Sequence, residues 1–191
     1  ATLHPDDQRW LAKQPLPGKT ADGRGGDPAA VFDTLRFGDT RKEVEEKLRK
    51  SEFVETTINE TFFGRLGLNG SFRTRRQIGG LHCELYFDWS PDGGLEEVTL
   101  QTQPLGQESY GSSLQDNWSE LIEVLTQLHG KALQSGDYPG RDQLKNDLFL
   151  ASHLWRLDCG GSALLGTSMQ ADRYLVVVRF TTEKLEPIRR P

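Results

Sequence analysis

Between Leu81 and Trp89 the chain alternates: Leu81, Cys83, Leu85, Phe87 and Trp89 fall on one side, His82, Glu84, Tyr86 and Asp88 on the other. Period two marks a half-buried antiparallel strand. Residues 90–94, SPDGG, supply turn residues, and Val98, Leu100 and Thr102 beyond them share a face, which predicts a hairpin. Upstream, residues 71–78, SFRTRRQI, closed by Gly79 and Gly80, predict a partner strand. A helix precedes these strands. In residues 36–48, RFGDTRKEVEEKL, Thr40 and Glu43 have the spacing of a reciprocal cap, and Val44 and Leu48 make a narrow apolar stripe suited to the outside of a sheet. Asp39, Glu43 and Glu46 stand among Arg41, Lys42, Lys47 and Arg49, so they read as a solvated ion-pair face rather than as acids or metal ligands.

The second half repeats that order. Leu114, Trp118, Leu121, Ile122, Leu125 and Leu128 recur at helical spacing, with Ser113 or Asp116 available as a cap and His129-Gly130 as a stop. FLASHLWRLD, SALLGTSMQ and RYLVVVRFT then predict three strands, the last covered on both faces. The pattern therefore predicts an α+β fold of two helix-plus-three-stranded antiparallel sheet modules in tandem, with the helices on one face of the sheet. The modules would span residues 32–104 and 105–191 and pack as one compact unit. Residues 1–31, rich in Pro and Gly with almost no apolar periodicity, read as a flexible arm.

The stretch GDTRKEVEEKL, followed by strands and a Gly-turn hairpin, resembles the small helix-plus-sheet modules of the SmpA/OmlA (BamE-like) envelope lipoproteins. Two such modules in tandem resemble the β-lactamase-inhibitor-protein architecture. The resemblance covers residues 32–103 by motif and 114–183 by element order. It implies protein binding or scaffolding without catalysis, and it carries over no functional residue. The lipidation cysteine of those lipoproteins has no counterpart in residues 1–31.

Composition narrows the classes of partner. A net charge of −5 disfavours general affinity for nucleic acid, which rests on a surplus of Lys and Arg, and no run is long and apolar enough for a membrane-spanning helix. No charged n-region followed by an apolar h-region occurs in the arm. A Gly/Pro-rich leader starting at Ala1 suits a segment behind a membrane anchor, so a periplasmic or envelope location is expected over the cytoplasm. Cys83 and Cys159 are each expected to be reduced thiols buried on strands, with a disulfide between them as the alternative.

Candidate chemistry is sparse. His4, His82, His129 and His153 have no metal-ligand spacing, Ser162 is not set in a nucleophile elbow, and there is no glycine-rich phosphate loop. No catalytic residue, metal or cofactor is expected. The basic cluster FRTRR places Arg73 and Arg75 on one face, as an aggregation-resistant edge strand or an anion or partner patch would. The expected function is noncatalytic binding of another protein through a sheet face carrying His82, Tyr86, Arg73, Arg75, His153 and Trp155. The alternative is a small-ligand or hydrolytic site using His82 and His153 with Glu84 or Asp158.

Overall fold

A computed structural model describes residues 27–58 and 67–188. Most of the arm expected over residues 1–31, with His4, lies outside the described residues; its last two residues, Ala30 and Val31, enter the first strand. Strands β1 (Ala30–Phe32) and β2 (Leu35–Arg36) form a small ribbon that leads into helix α1 (Arg41–Lys50). Its cap is reciprocal: the Glu43 N–H donates to Thr40 Oγ1 and the Thr40 N–H to Glu43 Oε1, each at 3.2 Å. Val44 and Leu48 are buried, as their spacing predicts. Asp39 is buried rather than solvated, because Lys47 Nζ donates to its Oδ2 at 2.7 Å and the Arg36 N–H at 2.9 Å, fastening the ribbon to the helix.

The remaining strands are β3 (Val54–Thr56), β4 (Phe72–Thr74), β5 (Glu84–Trp89), β6 (Leu95–Gln101), β7 (Phe149–Arg156), β8 (Ser162–Gln170) and β9 (Arg173–Thr181). They form one seven-stranded sheet in the order β3-β4-β5-β6-β9-β8-β7, with every neighbouring pair antiparallel. This corrects the expectation of two helix-plus-three-stranded modules. Four strands follow α1 and three follow the second helix, and β6 pairs directly with β9 from Glu97↔Thr181 to Gln101↔Val177. Two separate sheets would leave β6 and β9 each with an unpaired edge; pairing them satisfies both rows of backbone groups.

Helix α2 (Gln115–His129) is where its periodicity predicts, but neither Ser113 nor Asp116 caps it. A 3₁₀ turn (Gln107–Ser109) and a π turn (Tyr110–Leu114) run straight into it, so there is no frayed first turn for a side chain to close. Its buried face contains Leu121, Val124 and Leu125, and also Asn117 and Glu120.

Strand register separates the two sheet faces. Trp155, Ala163, Phe180, Val98 and Phe87 stand in one row, and His153, Leu165, Val178, Leu100 and Leu85 in the next. These rows are buried beneath the helices. On the opposite face, Glu55, Arg73, Glu84 and Gln101 line up across β3, β4, β5 and β6, beside the row Tyr86, Thr99 and Arg179. Near β7 and β8 this second face is covered: Ser162 Oγ donates to Glu183 O at 2.7 Å and accepts from the Leu185 N–H at 2.8 Å. The β7 edge is closed as well, since the Leu133 N–H donates to Leu154 O at 2.7 Å and the Leu154 N–H to Gln134 O at 3.0 Å. What stays open is the face of β4, β5 and β6.

Candidate functional site

One corner of the open face is shaped by a tight turn. Ile78 and Leu81 pair across Gly79 and Gly80, whose φ values of 57° and 87° are those a two-residue hairpin turn requires. Helix α2 holds the turn from the core side: Asn117 Nδ2 donates to Ile78 O at 2.6 Å, and the Glu120 carboxylate accepts the Gly79 N–H. Both side chains are almost fully enclosed, 0% and 1% exposed. Cys83, buried beside them, has its thiol pushed up to about 12, chiefly by burial, with the Glu120 charge adding to the shift and the Asn117 hydrogen bond opposing it.

Past the turn, His82 Nδ1 lies 2.8 Å from Thr74 O. A carbonyl only accepts, so the proton is assigned to Nδ1 and Nε2 is left as an acceptor in the neutral ring. Arg73 Nε donates to Glu55 Oε1 at 3.0 Å. Glu84, directly opposite Arg73, turns away from it: Oε2 accepts the Tyr86 hydroxyl at 2.8 Å and Oε1 accepts Gln103 Nε2 at 3.1 Å. Tyr86 is a neutral donor at physiological pH, its hydroxyl pushed up to about 12 by burial and then by the Glu84 hydrogen bond and charge. Arg73, Gln77, Leu81, His82, Glu84 and Gln103 enclose a groove of about 190 Å³.

The structure thus brings His82, Tyr86 and Arg73 together, with Glu84. Arg75 lies elsewhere: its guanidinium donates to Glu52 O at 3.2 Å and Val54 O at 3.1 Å. Because β3, and not β4, is the outer strand of the sheet, Arg75 shields edge carbonyls one strand away from its own.

His153 and Trp155 face α2, at 7% and 0% exposed. They end a chain of ring contacts running Tyr174, Tyr110, Tyr138, Trp118, His153, Trp155, with successive centroids 5.0, 4.6, 5.0, 5.6 and 5.5 Å apart. Burial holds His153 below the usual histidine range. Ser152 Oγ lies 2.8 Å from His153 Nδ1 and accepts Trp118 Nε1 at 3.0 Å. This serine–histidine pair is closed off from solvent, and among the described residues no carboxylate orients the ring. Among the described residues His82 has no carboxylate partner either, and Asp158 sits exposed in the β7–β8 turn. Among the described residues no cluster of three or more His, Cys, Asp or Glu could hold a metal ion. Cys83 is buried, Cys159 is exposed, and both are free, so they form no disulfide with each other.

Sequence reasoning missed the groove's supports, Asn117 and Glu120, and its wall residues Gln77 and Gln103. The signal for the first two was present: they are polar positions on the same helical face as Leu121 and Leu125. Together these features define an antiparallel α+β protein with helices on one sheet face and an ordered polar surface on the other. The chain matches no family model, no curated protein and no solved structure. Among the described residues no helix is long and apolar enough to cross a membrane.

Proposed function

We propose that the protein is a noncatalytic binding or scaffolding module of the bacterial envelope that engages another protein through the open face of β4, β5 and β6. The observation that carries this reading is the state of that face: its side chains are partly exposed yet already tied to one another. Arg73 is bonded to Glu55, Tyr86 to Glu84, and Arg179 to Glu97. Side chains ordered before contact lose less rotamer entropy on association, and Tyr and Arg are the residue types that most often anchor interfaces. The envelope location rests on the resemblance of residues 38–48 and the strands after them to the SmpA/OmlA modules and on the Gly/Pro-rich composition of residues 1–31.

Site-specific photocrosslinking tests the proposal. A crosslinker replacing Thr99, in the middle of the open face, is expected to give a discrete adduct in cells, and Tyr86→Ala is expected to weaken it. The same crosslinker at Lys42, on the exposed side of α1, is expected to give none. Equal labelling at both positions, or an adduct indifferent to Tyr86→Ala, would sink the reading.

A further inference from the structure

Arg73 and Glu84 are directly paired across β4 and β5 and carry opposite charges, yet they do not bond to each other. Cross-strand partners of opposite sign ordinarily meet. Here the Arg73 Nε is drawn to Glu55 on one side, while Tyr86 and Gln103 hold the Glu84 carboxylate on the other. The result is a groove with a cationic pole and an anionic pole kept apart. On the cationic side the two terminal nitrogens of Arg73 make no hydrogen bond among the described residues, and Gln77 lines the same groove. On the anionic side each Glu84 oxygen has accepted one hydrogen bond and retains a second lone pair, and His82 Nε2 is a further acceptor. Leu81 and Leu105 complete the wall with apolar surface.

We infer that this groove binds a free α-amino acid in its zwitterionic form. The ligand carboxylate would take the donors of Arg73 and Gln77, its ammonium the acceptors of Glu84 and His82, and its side chain would lie on Leu81 and Leu105. At about 190 Å³ the groove lies below the ~300 Å³ from which ligand pockets ordinarily begin, which restricts it to a small ligand. The groove offers the donors of Arg73, whose charge Glu55 already shares, beside the acceptors of Glu84, so a simple anion meets Glu84 and a simple cation meets Arg73. Helix α2, by fixing Ile78 O and the Gly79 N–H, keeps the His82 wall in place without the ligand.

The test is an NMR titration of the full chain with L-leucine, N-acetyl-L-leucine and L-leucinamide. Leucine is expected to shift the Gly80 amide and the His82 ring saturably. The acetylated and amidated forms, each lacking one pole, are expected to bind at least about tenfold more weakly, the factor that corresponds to 1.4 kcal/mol. Arg73→Gln and Glu84→Gln should each produce a comparable loss with leucine, while Lys42→Gln on α1 should not. Arg73 is 40% exposed, so the thermal midpoint of Arg73→Gln should stay close to that of the parent chain, which separates lost binding from lost folding. No shift with leucine, equal binding of the three probes, or undiminished binding by Arg73→Gln would overturn the inference. None of these outcomes bears on protein crosslinking at Thr99.

Discussion

Replacing Gly79 by alanine tests how the turn at residues 78–81 is held. Gly79 and Gly80 both have positive φ, so an alanine at either pays the left-handed backbone cost of about 1–2 kcal/mol. Beyond that they differ. A Cβ on Gly80 would meet nothing within 4 Å, whereas on Gly79 it would come 2.5 Å from the Asn117 nitrogen and from the carbonyl carbon and oxygen of Asp116. Those atoms are helix backbone and cannot rotate aside, so the turn must lift off α2. Lifting would strain the Asn117 and Glu120 bonds to it. Overpacking of this kind costs roughly 1–3 kcal/mol more, so Gly79→Ala should lose about 2–5 kcal/mol and Gly80→Ala about 1–2 kcal/mol. Urea unfolding of the two variants beside the parent chain measures both, with the midpoint reporting stability and the slope checking that the same surface is exposed. If the two alanines cost the same, the close seat of the turn on the helix is wrong.

Two further predictions follow from burial. The folded-state pKa of His153 lies below its ordinary value of 6.5, so near and below that pH the unfolded chain binds a proton that the folded chain does not, and stability falls as the pH is lowered through that region. Urea midpoints at pH 7.5 and 5.5 should show a smaller acid loss in His153→Phe than in the parent chain; an identical loss would remove His153 as its source. For the thiols, Ellman's reagent should titrate one sulfhydryl per chain, Cys159, in the native protein and both after unfolding, because Cys83 is enclosed and its thiolate disfavoured. Rapid native labelling of both would contradict the buried seat of Cys83.

The elements with long local patterns were readable. The Thr40–Glu43 cap, the span of α2, the β5–β6 hairpin and the three long strands of the second half all stand where periodicity and turn residues put them. The assembly was less readable, for two reasons. Strand β3 has three residues, too few for alternation to register, so of the four strands that the first half gives the large sheet only β4, β5 and β6 are legible in the sequence. The β6–β9 pairing joins residues far apart in sequence and leaves no local mark on either strand. Of the candidate site, Tyr86 and Arg73 were legible because their strands expose a polar face, and His82 because it continues the alternation just ahead of β5. His153 and Trp155 could not be placed, because four consecutive residues of β7, Ser152 to Trp155, are all buried. With both faces covered and a register shift between Ala151 and His153, the alternation of that strand points nowhere in particular.

The central pairing of β6 with β9 also dictates when the molecule can finish folding. Glu97 must wait for Thr181, and Gln101 for Val177, before the middle of the sheet exists. During synthesis, α1 and β3 to β6 would leave the ribosome with the rim of β6 open, and would stay so until residues 173–181 had emerged. A nascent chain of this kind has a long interval in which a sheet rim invites mispairing with a neighbour. Its safe production depends on how quickly the last strand arrives, or on what shelters β6 until it does.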